Sequence, residues 1–445
     1  MRLAALREEA FEEVGRVPSR RGSVSWRLLL GAAGIVALLL SAWPPAPTSA
    51  AVTVMFVNWA SAEPATRTAI QKVISTFERD HPGVQIKSVP VSFSDILHQL
   101  IVQTTAGNPP DVAQIAGNDT VALTATGALQ PLDGMAPSSF LNSLYPSEVA
   151  LGKLNGSLYA IPWIVAPLGF WYNKTLMQRA GLNPAKPPAT VREWMDDMKA
   201  IREKEPDVVP FGLDVTNRSF GLDVNWSFML EFGAHPLGSQ RPAADTPQMI
   251  AYLTWVRTMM KNEYTLPGKL LGEFRPLAAR NQLAFAFDGP YLQGVMLSLN
   301  AALTPQQLYE TWGVSALPAG VDGHRYTIPT DHQLVMFKAA RDKRAAWEFM
   351  EHLASHREAI LDYTFVSRVL PPLRSAPSLF PQQMDTPIMR AFVSAVIPTV
   401  VRPAWGPVYS KAYPVIMAGV QQAATGSEPI QSIATQMQSQ LQAVY

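Results

Sequence analysis

Residues 152–174, GKLNGSLYAIPWIVAPLGFWYNK, carry the reading that decides the architecture. The segment reads as a turn punctuated by glycine, a strand, a break rich in proline, and a second strand. Proline has no N–H to give a ladder, so the break sets the two strands apart and the segment predicts a crossing between two lobes. On its N-terminal side, AVTVMFVNW (51–59) is a run of β-branched and aromatic residues, expected to be a buried first strand. Ala69, Ile70, Val73, Ile74 and Phe77 then recur at helical spacing until His81-Pro82-Gly83 stops the helix. VQIKSVPV is a second strand, and SDILHQLIVQTTAG is a helix with Ser94 as N-cap and Gly107 just past its end. In AGNPPDVAQIAGND (106–119), Pro109-Pro110 forbid continuation of that helix and Val112–Ile115 form a third strand. Asn118 and Asp119 emerge at the carboxyl end of that strand, ahead of the helical TVALTATGALQPL. Strand, helix, strand, helix, strand predicts an α/β fold with a parallel or mixed sheet covered by helices. Ligands of such sheets bind beyond the carboxyl ends of the strands.

On the C-terminal side, NKTLMQRAGL is helical, and Thr190 and Glu193 have the spacing of a capping box. AFAFDGPYLQG (284–294) is a strand running into a turn and helix, while WGVSALPAG and YTIPTDHQLVMF are strands flanking a loop. DKRAAWEFMEHLASHREAI is an amphipathic helix with Trp347, Met350 and Leu353 inward, and SEPIQSIATQMQSQLQAVY is another helix.

The 445 residues hold 36 basic and 35 acidic side chains, a net charge of +1, which gives no reason to expect nucleic acid or an acidic partner. No cysteine occurs, so disulfides, thiolate nucleophiles, zinc–thiolate sites and lipidation of a cysteine are excluded. Residues 1–27 carry six arginines, and the uncharged LLLGAAGIVALLLSAW (28–43) follows, then small residues at Thr48-Ser49-Ala50. That order describes a secretory signal cleaved after Ala50. An uncleaved anchor is the alternative, the uncharged run being short for a span of about 20 residues. The mature part, with a net charge of −1 once six arginines and four glutamates are removed, is expected to be exported, periplasmic and soluble.

Catalytic and cofactor motifs are missing from the sequence. No Walker-type glycine loop, dinucleotide fingerprint or G-x-S-x-G elbow occurs. His352 and His356 are four apart on a helix, on the side opposite Trp347, Met350 and Leu353, and are expected to face solvent and not a metal. Neither a metal nor a cofactor is expected, and no enzymatic activity. Trp59, Trp163, Trp171, Trp226, Tyr291, Trp312 and Trp405 fall off the helical stripes, beside Asn58, Glu63, Asn118, Asp119, Asp288, Asp331 and His332. Flat apolar faces with planar polar groups suit sugars, while any single one of these tryptophans also suits a core.

In order along the chain, FERDHPGVQI, AGNPPDVAQI, GSLYAIPW…FWYNKTLMQRAGLNP, PPATVREW, FAFDGPYLQG, WGVSALPAG, RAAWEFMEHLAS and LPPLRSA resemble the extracellular solute-binding proteins of ABC importers. The resemblance runs from about Val52 to the C-terminus and is to the large sugar-binding family that includes maltose-binding protein. It implies two α/β lobes of the type II periplasmic-binding-protein fold, each a mixed sheet flanked by helices and hinged by crossing strands. The lobes are expected over 52–163 with 284–337, and 164–283 with 338–445. The resemblance puts Asn58, Trp59 and Glu63 at the cleft, Tyr291 where relatives often carry a stacking tryptophan, and Trp405 as an aromatic from the second lobe. Trp163, Trp226 and Arg374 complete the expected ligand set. Asp288 either caps its turn or touches ligand, and Asn173 is expected to cap the next helix. Where many relatives have Gly-Gly, this chain has Thr330-Asp331-His332; Asp331 and His332 face either the cleft or solvent.

The expected function is that of the substrate-binding component of an ABC importer. A sugar, oligosaccharide or polyol would close the hinge of a monomer, and the closed form would dock on the permease. A secreted glycan-processing hydrolase and a sensory module for a receptor are the alternatives.

Overall fold

Continuous apolar runs build two mixed sheets in the computed structural model, which describes residues 51–117, 119–238, 241–401 and 408–445. The expected signal or anchor (1–50), Asn118 and Trp405 lie outside the described residues. β1 (Val52–Asn58) pairs in parallel with β2 (Val84–Pro90) and β3 (Val112–Ala116). β4 (Lys153–Leu154) and β5 (Ser157–Leu158) make a hairpin across Asn155 and Gly156, at φ 51° and 88°, the left-handed values that a two-residue hairpin turn requires. β6 (Ala160–Ile164) and the late strand β11 (His332–Met336) complete the first sheet, ordered β2-β1-β3-β11-β6. β7 (Gly169–Asn173), β8 (Val209–Gly212), β9 (Leu283–Asp288) and β10 (Trp312–Ser315) form the second, ordered β10-β7-β9-β8.

Helix Pro64–Asp80 buries Ala69, Ile70, Val73, Ile74 and Phe77, as its spacing predicts. On the same face of the first sheet, Phe56 lies edge-on to Trp163 and Phe349 at 6.2 and 5.2 Å. The next residue, Val57, points to the opposite face with Ala113, Ile115, Ile96 and Leu100, the two-residue period of a strand. In the second lobe Phe170 stacks on Phe285 at 5.4 Å, and Trp194 meets Phe211 edge-on at 4.7 Å. Each such side chain contributes about 1.5–3 kcal/mol on burial.

Several expectations are corrected. Ser94 does not cap its helix, which begins at Ile96 after Asp95. Trp226 is not in a loop; it lies in helix Ser219–Glu231, where every residue from Gly221 to Glu231 is buried. His352 turns inward, edge-on to Phe77 at 5.3 Å and stacked on His356 at 4.3 Å, because three buried positions flank it on its helix. Strand membership also departs from the expected lobes. β9 and β10, within 284–337, pair with β7 and belong to the second sheet. Helix Lys343–Ser355 packs on β6, β11 and β1 of the first. The Asn173 expectation is met, its Oδ1 accepting from the Leu176 N–H at 3.0 Å.

Candidate ligand cleft

Strand directions decide which side chains can meet. β1 and β3 run parallel, so Trp59 and Asp119 leave the first sheet at the same edge. β11 runs the other way and begins opposite Ala116 and Ile164, which brings Asp331 and His332 to that edge as well. Helices of the second lobe reach it with Phe220 and Asp223 from Ser219–Glu231, and with Tyr409 at the start of Tyr409–Thr425.

An aromatic chain crosses from one lobe to the other. Trp59 is 2% exposed and lies edge-on to His332 at 4.8 Å and to Phe93 at 5.3 Å. Phe93 is 43% exposed and approaches Phe220 at 6.3 Å, whose ring also has the Arg218 guanidinium 5.3 Å from its centre. Gln114, fully buried, is oriented by accepting the Ala60 N–H on Oε1, so its Nε2 donates to His332 Nδ1 at 3.0 Å. His332 therefore carries its ring proton on Nε2, and burial lowers its pKa to about 3, leaving it neutral at ordinary pH.

Two carboxylates face Tyr409 from opposite lobes. Its hydroxyl donates to Asp223 Oδ1 at 2.9 Å and lies 2.7 Å from Ser219 Oγ. Burial raises the phenol well above its usual value, and the charges of Asp223 and Asp119 raise it further. Asp119 is only half-buried by accessible surface. The surrounding protein nevertheless displaces enough water to push its carboxyl up to about 7, against a backbone hydrogen bond at Ala116. A side chain open to solvent but walled by protein is what a crevice produces.

The third group comes chiefly from the second lobe. Arg275 grips Asp288 with two bonds, Nε to Oδ2 at 2.8 Å and Nη2 to Oδ1 at 3.1 Å, and its guanidinium lies 5.0 Å from the Tyr291 ring centre. Asp288 Oδ1 also accepts the Gly289 N–H at 2.8 Å. Of its two open roles the cap is therefore made, and the carboxylate is occupied by arginine. Glu63 stands exposed at the start of helix Pro64–Asp80. Surrounding protein raises its carboxyl and Arg275 pulls it back down. Burial, followed by the charge of Asp288, raises the Tyr291 phenol.

Other expected site residues are placed elsewhere. Asn58 is fully buried and its amide is used up in the turn after β1: Nδ2 donates to Phe56 O and Ser88 Oγ, and Oδ1 accepts the Ser61 N–H. Trp163 is stacked on Tyr363 at 4.7 Å within the first core, and Trp226 is in the second. Asp331 is completely buried and accepts the Ala166 N–H at 2.6 Å. Arg374 is exposed on a loop whose N–H bonds Ser143 O. Asn118 and Trp405 lie outside the described residues.

Residues 60–360 match the family described as bacterial extracellular solute-binding protein. The chain belongs to that family. This solute-binding protein is 24% identical over 288 residues to a binding protein of Brucella abortus, which covers 64% of this chain and 67% of the relative. It is 28% identical over 191 residues, 42% of each chain, to the multiple sugar-binding protein of Streptococcus mutans. The fold is similar to the GacH receptor of Streptomyces glaucescens, studied unliganded and with acarbose. That likeness has a TM-score of 0.74 at 19% identity, over 88% of this chain and 98% of that one. No helix among the described residues is long and apolar enough to cross a membrane.

Sequence reasoning missed Phe93, Gln114, Phe220, Asp223, Arg275 and Tyr409 in this solute-binding protein. Gln114 carried a signal, being a lone amide in the apolar run Val112–Ile115. The others sit in a loop (Phe93), near helix starts (Phe220, Asp223, Tyr409) or inside helix Leu271–Ala279 (Arg275), where periodicity says nothing about what lies across the cleft.

Proposed function

We propose that this solute-binding protein is the carbohydrate receptor of an ABC importer, taking a sugar, oligosaccharide or polyol between its lobes. The observation that carries the reading is the meeting of Trp59, Phe93 and Phe220 with Asp119, Asp223 and Tyr409 at one edge, contributed by both lobes. Aromatic faces cover the C–H faces of a pyranose or a polyol chain, and carboxylates accept from its hydroxyls. A ligand that touches both lobes binds the closed form more tightly and shifts the population towards it. The permease then recognises the closed form; the reading needs no covalent step. The sugar-binding relative supports the ligand class, and the arginine-flanked apolar run at the N-terminus supports export to the periplasm.

A thermal-shift screen over mono- and disaccharides, polyols and sugar phosphates tests it. Binding to the native state alone stabilises by about 2.7 kcal/mol at a hundredfold excess over Kd, so a true ligand raises the melting temperature in a dose-dependent way. A flat response across all four classes would sink the carbohydrate reading.

A further inference from the structure

Hydrogen bonds sew together the segments that pass between the sheets. Ala166, between β6 and β7, gives its N–H to Asp331 Oδ1 at 2.6 Å and receives the Thr330 hydroxyl on its carbonyl. Two residues on, Leu168 O accepts from Thr327 Oγ1. Thr327 is itself paired through its backbone to Thr399 and Val401. Asp331 thus pins the return strand to the outgoing one at the first-lobe end of the hinge.

A second carboxyl is pressed against that pin. Glu148, on helix Pro146–Leu151, is fully buried, as is Asp331, and the two carboxyls act directly on each other. Two ionised carboxylates are both acceptors and cannot bond each other. Each also keeps one buried oxygen that no donor reaches, Glu148 Oε2 and Asp331 Oδ2. The groups facing the pair are few. Ser147 Oγ approaches Glu148 Oε1 at 3.3 Å, and the Ala166 amide bonds Asp331. The Tyr145 phenol is raised first by burial and then by Glu148, while the charge of Arg374 lowers it. His332, next along the chain, is neutral. Among the described residues, no lysine or arginine bonds either carboxyl.

We propose that Glu148 and Asp331 share one proton, Glu148 donating it to Asp331, and that this bond is a pH-sensitive latch on the hinge of the cleft proposed above. With the proton in place, both orphaned oxygens are accounted for and Asp331 stays on Ala166. Without it, two negative charges share a dry site and the pin loosens. Burial, with the charge of Asp331 added to it, holds the Glu148 carboxyl well above its ordinary value of 4.5. Burial raises Asp331 as well. A raised acid stabilises the fold fully below its unfolded value, and that contribution is lost as pH rises through the folded value. The latch is therefore tight in acid and weakens as the medium turns alkaline.

Glu148→Gln carries an N–H where the acid carries its proton, and it does not titrate. In thermal melts of the whole protein from acid to alkaline pH, the wild type should lose stability as pH rises more steeply than Glu148→Gln. The two should be close in acid, with the variant the more stable at alkaline pH. Glu148→Ala, which empties the position, should melt lower throughout. Parallel wild-type and Glu148→Gln profiles would overturn the latch. In infrared difference spectra of the wild type minus Glu148→Gln, which cancel other protonated carboxyls such as Asp119, a protonated-carboxyl stretch should persist at neutral pH and vanish once the pair ionises, and its absence at neutral pH would equally overturn the proposal. These readouts use no ligand, so failure to find a sugar leaves them standing. Conversely, a confirmed sugar ligand with no such band rejects the latch alone.

Discussion

Asp119 is the side chain on which the strand-end rule and the electrostatics agree. Its carboxyl, raised to about 7 from 3.8, holds its proton longer in the folded chain than in the unfolded one. Its contribution to stability is therefore complete below about pH 4 and lost as pH climbs to about 7. Carbon-detected NMR should place its titration midpoint near 7, and Asp119→Asn should flatten the melting profile in that window. A midpoint near the ordinary aspartate value would remove Asp119 from the crevice. Trp59 is a poorer probe than its place after β1 suggests. It is buried against Ile96, Leu100 and Val335, so Trp59→Ala should cost roughly 3–5 kcal/mol in denaturant melts. Phe93→Ala and Phe220→Ala separate binding from folding better. Each should leave stability within about 1 kcal/mol while weakening a sugar ligand by roughly 1–2 kcal/mol in calorimetric titration. Asn58 teaches the reverse lesson, since a polar residue at a strand's end served the turn first and left no group to offer a ligand.

Among the elements, β3 depends on the residue just before it. Asp111 accepts the Met55 N–H on Oδ2 at 2.7 Å and the Arg341 N–H on Oδ1 at 2.8 Å. It ties β1, β3 and the loop after β11 together. Asp111→Ala leaves two backbone donors unmatched and should lower stability by about 2–3 kcal/mol in urea melts; a loss under half that would mean the donors find water. At the start of β7, a Cβ on Gly169 would come within 2.9 Å of Phe392 and 3.1 Å of Val314. Gly169→Ala should therefore cost about 1–3 kcal/mol. Most elements were legible because local spacing dictates them: helix Pro64–Asp80, the turn at Asn155-Gly156, and the two strands around the proline break. Sheet membership was not. β9 joins β7 and β8 through pairings remote in sequence, and nothing in AFAFDG states which partners it will find. Arg275 and Tyr409 stayed hidden for the same kind of reason, because a helix declares its buried face but not what its other faces meet.

At the scale of the whole molecule, two lobes meet where Phe93 approaches Phe220 and where Arg275 acts on Glu63. If ligand closes them, small-angle scattering should report a smaller radius of gyration with saturating sugar than without, and an unchanged radius would argue against hinge closure. The order of the first sheet has a further consequence, for how the chain is made. β11 lies between β3 and β6, although it follows β6 by well over a hundred residues. While the chain emerges from a ribosome or a translocation pore, neither β3 nor β6 can find that neighbour until residue 336 is out. The strands of the second sheet are all present by residue 315. The lobe that begins first is thus the later to gain its last strand, and until then it presents two unpaired edges of the kind that invite aggregation. Chains cut short between β10 and β11 should need a holding chaperone that the complete chain does not.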